Sequence, residues 1–179
     1  MYKNCTTEES ARRQRQLEAC LQELLLCEPY DKITISHICD RTGISRKSFY
    51  RYFNSKEGCL CALLDHAIFD GASRYLPAYR DAQSPQMIYE QFFQYWKENK
   101  DLLDALSRNG LSTRLVERMV LYTMQEEHDF ISKLIGSGPD VRERGMFYTG
   151  GIMTVVLDWH KSGYAKSVQD MSNTLSNLI

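Results

Sequence analysis

Proline is scarce in this chain, with four in 179 residues, and glycine is little commoner at ten. So few turn formers argue against a sandwich or barrel of short strands and leave a helical architecture. No run of about eighteen apolar residues occurs, so no membrane span is expected. The first fifteen residues are polar and charged, without the apolar stretch of a secretory leader, and the cytoplasm is the expected compartment. Six cysteines are present, all within the first third of the chain. None forms a Cys-x-x-Cys pair and no histidine sits at finger spacing from them, so neither a zinc finger nor another metal site is expected. In a reducing cytosol the thiols stay free, and Cys20, Cys27 and Cys39 read as small buried hydrophobes. There is no Gly-x-Ser-x-Gly, no glycine-rich phosphate loop and no paired-histidine motif, so neither an enzyme nor a bound cofactor is expected.

Charge is nearly balanced overall, at −1, but not along the chain. Residues 1–56 hold ten Lys/Arg against seven Asp/Glu, a balance of +3, whereas residues 57–179 hold twelve against sixteen, a balance of −4. A basic front on an acidic remainder points weakly to a nucleic-acid partner, as would chance variation on a solvated surface.

Helical periodicity dominates what is present. Leu17, Cys20, Leu21, Leu24 and Leu25 fall at i, i+3, i+4, i+7 and i+8 of a helix over about 8–27, stopped by Pro29. A short helix is expected from Thr34, its N-cap, to Gly43, which suits a left-handed turn. Ser45 caps a third helix carrying Phe49, Tyr50 and Phe53, and Ser55 caps a fourth that runs to about Tyr79. Longer helices follow over about 85–99, 101–108 and 113–135. Gly136-Ser137-Gly138-Pro139 marks a break, then a helix to Ser162 and a last one capped by Ser167.

The informative block is Thr34–Glu57, TISHICDRTGISRKSFYRYFNSKE. Two short helices joined by a glycine turn form a helix-turn-helix, whose second helix enters the major groove of DNA. The candidate DNA contacts are Thr34 and Ser36 on the first helix and Ser45, Arg46, Lys47, Ser48, Tyr50, Arg51 and Tyr52 on the second. Lys56, at the start of the next helix, joins them, because helix N-termini attract phosphate. Phe49 and Phe53, four apart, anchor the second helix inward.

This run resembles the TetR (tetracycline-repressor) family over about residues 8–65. Thr34, Ile38-Cys39, Gly43-Ile44-Ser45, Tyr50-Arg-Tyr-Phe53 and Lys56-Glu57 follow that family's order and spacing without gaps. Cys39 stands where the family usually has Ala, a small-for-small change. The resemblance implies an all-α protein of about nine helices. Residues 1–56 would be a three-helix DNA-binding domain and residues 57–179 a helical effector-binding and dimerisation domain. It implies a transcription regulator, most often a repressor, that binds a near-palindromic operator as a homodimer. A small molecule would release it by shifting the helix after Glu57. A coactivator on the same scaffold, with operator binding lost, is the alternative.

Two further sites follow. The resemblance places a dimer interface on the last two long helices, with Trp159 and Gly163 at the positions of a common C-terminal type. The candidate interface is Ile152, Val155, Val156, Trp159, Met171, Leu175 and Leu178, and burial of the same helix within its own domain is the alternative. An unknown small hydrophobic effector would sit among Tyr75, Tyr89, Phe92, Phe93 and Trp96, with Met119, Tyr122, Met124 and Phe130 as a flexible wall. Aromatics at this spacing serve equally as core.

Overall fold

A computed structural model describes Tyr2, Lys3, Cys5 and residues 7–81, 85–125 and 138–178. The described residues form nine helices: α1 (Glu8–Cys27), α2 (Ile35–Thr42), α3 (Arg46–Tyr52), α4 (Lys56–Asp81), α5 (Pro85–Glu98), α6 (Lys100–Arg108), α7 (Ser112–Gln125), α8 (Val141–Lys161) and α9 (Val168–Ser176). The expected helix over 113–135 is described only as far as Gln125, and Phe130, Gly136 and Ser137 lie outside the described residues. No described helix is long and apolar enough to cross a membrane.

The helix starts have local causes. Thr7, Thr34 and Ser45 each accept a backbone N–H three residues on, and Ser55 accepts that of Gly58, which satisfies donors that a helix start leaves free. Ser167 and Asp170 form a reciprocal capping box at α9. Gly43 closes α2 at φ 69°, in the left-handed region that a side chain resists. Gly163, at φ 67°, follows α8 in the same conformation.

The chain divides into two compact units, Met1–His66 with Asp104–Leu111, and Ala67–Leu103 with Ser112–Ile179. The first therefore extends beyond residue 56 and takes in the last part of α6. The reason lies in burial: Cys59, Leu60, Ala62 and Leu64 in the opening turns of α4 are 0% exposed. The core of the first unit joins these to Leu17, Leu21, Leu24, Ile38, Phe49 and Phe53. An isolated antiparallel bridge pairs Tyr2 with Phe53, and the Tyr2 hydroxyl donates to Asp65 at 2.7 Å.

In the second unit α5 packs along α9 and α7 along α8. Polar pairs register these helices. The Ser172 hydroxyl donates to the Gln86 carbonyl, Thr149 to Thr123, and the phenols of Tyr89 and Tyr148 share a hydrogen bond of 2.6 Å. Phe93 meets Trp159 edge-to-face at 5.4 Å, joining α5 to α8.

Candidate nucleic-acid interface

Helix α3 sorts its side chains by the helical period. Phe49 is fully buried and Tyr52, three residues on, is nearly so; Phe53 follows with its ring 5.1 Å from that of Phe49. Lys47 and Arg51 on the opposite side are exposed, as are Tyr50 on the flank and Arg46 in the first turn. Ser48 lies at the margin, with its hydroxyl 3.1 Å from that of Ser45 and its N–H bound to the same Ser45 oxygen. Thr34 is exposed at the cap of α2, and Ser36 is half-buried in that helix's first turn.

The electrostatics of that face run against helix stability. Arg46 and Lys47 occupy the first turn, where the macrodipole is positive. Lys47 and Arg51 are like charges at i,i+4, a pairing that costs about 0.2–0.5 kcal/mol. Elsewhere in the unit Arg12 and Arg13 share Glu9, and Arg41 pairs with Glu23. Among the described residues, Arg46, Lys47 and Arg51 have no acidic partner within ion-pair distance. The exposed surface of this short helix therefore carries three positive charges, Arg46, Lys47 and Arg51.

Two expected contacts are placed otherwise. The Tyr52 ring lies inward beside Phe53, because it shares the face of Phe49 rather than that of Lys47 and Arg51. The Lys56 ammonium donates to the carbonyl oxygens of Tyr30 and Ile33, the latter at 2.6 Å, and lies 4.1 Å above the centre of the Tyr30 ring. Burial lowers its pKa, opposed by Asp31 and Glu57. Two of its three N–H donors thus serve the loop between α1 and α2.

The aromatic candidates of the second unit come together, but as interior. Tyr75, Tyr89, Phe92, Phe93, Trp96 and Met119 are buried, while Tyr122 is half-buried. Phe92 stands at the centre, with its ring 5.5 Å from Tyr75, 5.7 Å from Phe93 and 6.4 Å from Trp96. The Trp96 indole N–H is buried and finds no acceptor among the described residues. Burial raises the phenol pKa values of Tyr75 and Tyr148 well above their usual range, so both stay neutral.

The interface candidates separate. Val156, Trp159, Met171 and Leu175 are buried within their own unit, where Trp159 packs on Phe93 and donates to the Lys166 carbonyl at 2.9 Å. Ile152 and Val155 are half-buried and Leu178 is 71% exposed. Phe147, not among the interface candidates, is 85% exposed one turn before Gly151. A side chain added at Gly150 or Gly151 would meet nothing within 4 Å.

A capped helix, a left-handed glycine turn and a second helix with an unneutralised basic face define a helix-turn-helix module of the DNA-binding type. Residues 22–63 match the family profile of bacterial regulatory proteins of the tetR family, and residues 83–179 match a transcriptional regulator C-terminal region. The chain belongs to the TetR family, whose members are DNA-binding transcription factors and not enzymes. It is 36% identical over 72 residues to the HTH-type transcriptional regulator EthR of Mycolicibacterium smegmatis, a match covering 37% of this chain and 33% of that protein. The matched stretch thus spans a third of the relative's length.

Solved structures share the fold across most of the chain. A TetR-family regulator from Syntrophomonas wolfei superposes with a TM-score of 0.67 at 16% identity, covering 94% of this chain and 93% of the other. The fatty acid degradation regulator FadR of Bacillus halodurans gives 0.60 at 16%, covering 98% and 95%. The repressor AlkX of Dietzia sp. strain DQ12-45-1b, implicated in n-alkane biodegradation, gives 0.55 at 13%, covering 93% and 92%.

Proposed function

We propose that this chain is a transcriptional repressor that binds a near-palindromic operator as a homodimer and is released by a small apolar effector. The observation that carries the reading is the exposed, unpaired cationic face of α3. Helix α3 lies in the major groove, with Arg46 and Lys47 at base edges and Tyr50 and Arg51 toward the backbone. Thr34 and Ser36, at the start of α2, and Ser45, at that of α3, meet phosphate.

Residues 1–56 act as the DNA-binding domain and 57–179 as the effector and dimerisation domain. The dimer forms through the faces of α8 and the C-terminal end left open in one chain: Phe147, Gly151, Ile152, Val155 and Leu178. Two glycines beside an exposed aromatic permit close approach of a second copy of α8. The effector binds among the buried aromatics around Phe92 and Trp96. Two of the fold relatives are named for fatty acid or n-alkane degradation, which suits an apolar effector.

Fluorescence anisotropy with the intergenic DNA upstream of the gene tests the reading. Tight binding that survives excess competitor DNA is expected. Weak binding that salt removes, with no preferred sequence, would favour the coactivator alternative instead.

A further inference from the structure

The segment before α1 is fastened to the first unit at two points. At the first, Tyr2 pairs with Phe53 in an antiparallel bridge, and the Lys3 N–H donates to the Tyr52 carbonyl at 2.9 Å. The Tyr2 hydroxyl donates to Asp65 on α4 at 2.7 Å, and its ring meets that of His66 edge-on at 6.0 Å. At the second, the Cys5 thiol donates to the side-chain oxygen of Gln14, a buried residue of α1. Lys3 lies between these anchors, with its backbone against the last residue of α3.

The bridge also decides which way Lys3 faces. Residues paired across a bridge put their side chains on the same side, and successive residues of an extended chain alternate. Phe53 is fully buried, and Tyr2 follows it inward to Asp65 and His66. Lys3 is turned the other way and is exposed. Among the described residues, no carboxylate lies within ion-pair distance of it. The end of α3 that carries Arg51 thus gains a fourth exposed cation from a distant part of the sequence.

We propose that Lys3 is a further DNA contact, a phosphate-binding lysine that the fold seats beside the C-terminal end of α3. The inference rests on the reading of α3 as the DNA-contacting helix. Phosphate is favoured over a base edge for two reasons. Arg46 and Lys47 stand on the leading turn of α3, whereas Lys3 sits at the trailing end. A lysine ammonium is a point charge on a flexible stem, suited to a phosphate and not to the bidentate reading of a base. A cation beside a helix C-terminus also complements the helix dipole, and a role confined to that would show in stability instead of in DNA binding.

The probe is a duplex that the full-length protein has itself enriched from a random-sequence pool. Anisotropy of the labelled duplex at a series of salt concentrations gives the slope of log affinity against log salt for the wild type and three variants. Lys3→Ala should make the slope shallower by about one unit per half-site, with the affinity loss greatest at low salt. Its base preferences and its denaturant midpoint should stay those of the wild type. Lys3→Arg keeps the charge and should keep the slope. Lys97→Ala removes the same charge from an exposed site in the second unit, and should leave the slope unchanged.

A wild-type slope in Lys3→Ala would overturn the inference alone, whether or not the denaturant midpoint falls. An equal loss of slope in Lys97→Ala would also overturn it, since net charge and not position would then be the cause. Failure of the wild type to enrich or bind any duplex would remove the DNA-binding reading and this inference with it.

Discussion

The Lys56 ammonium closes over Tyr30, donating to its carbonyl oxygen while sitting 4.1 Å above its ring. A residue expected to hold phosphate instead holds the loop before α2, and this changes what its removal should do. Lys56→Met leaves the Tyr30 and Ile33 carbonyls without that donor, and should lower stability by about 1–3 kcal/mol. The salt dependence of DNA binding should keep its slope, because no phosphate contact is lost. Denaturant titration and binding at two salt concentrations measure both. A slope reduced by one unit per half-site with unchanged stability would return Lys56 to the phosphate contacts.

Lys47→Ala should behave in the opposite way. Its side chain is exposed and unpaired, so stability should hold or rise slightly as repulsion from Arg51 is relieved. Operator affinity should fall by about 1–3 kcal/mol, with preference relaxed at one base position in each half-site. Binding to a set of single-base operator variants checks this. An unchanged sequence profile would take Lys47 out of base reading.

The proposed dimer face gives a contrast between neighbouring residues. Phe147→Arg places a charge on an exposed face and should yield folded monomer in sedimentation equilibrium. Val156→Arg buries the charge inside one chain and should prevent folding altogether, since Val156 is 0% exposed. A Phe147→Arg protein that still sediments as a dimer would move the interface elsewhere.

Thiol reactivity should divide the cysteines. Burial raises the pKa of Cys20 and Cys39, and that of Cys59 well above its usual range, so these three are protonated and enclosed at neutral pH. Cys27 is exposed. A disulfide reagent at neutral pH should label Cys27 rapidly in the folded protein, and reach Cys59 only on unfolding. Rapid labelling of Cys59 in the native state would show that α4 opens locally.

Gly43 allows a purely conformational test. A side chain there would meet no atom within 4 Å, so space is available, but φ is 69°. Gly43→Ala should cost about 1 kcal/mol through backbone strain, and Gly43→Asn less, as read by denaturant midpoint. Equal stability of all three would mean that the turn between α2 and α3 relaxes to another conformation.

Much of this was already determined by the sequence, wherever the interacting groups lie within about one helical turn. Thr34, Ser45 and Ser167 cap because each hydroxyl reaches an N–H three residues on, whatever the rest of the chain does. The stripe from Leu17 to Leu25 and the anchoring of α3 by Phe49 and Phe53 follow from the 3.6-residue period. Tyr52 obeys the same period, and its inward place was legible from its spacing to Phe49.

Tertiary packing decided the choices that local pattern leaves equal. Val155 and Val156 are adjacent and alike, yet a rotation of about 100° along the helix leaves one half-open and the other sealed. Lys56 could have faced solvent, but the carbonyl oxygens of Tyr30 and Ile33 in the loop drew its charge. Asn109, 79 residues from Tyr30, accepts its backbone N–H and donates to the Leu25 carbonyl. Nothing local singles out Asn109, because the need it meets, free carbonyls at the end of α1, arises only when α6 arrives beside them.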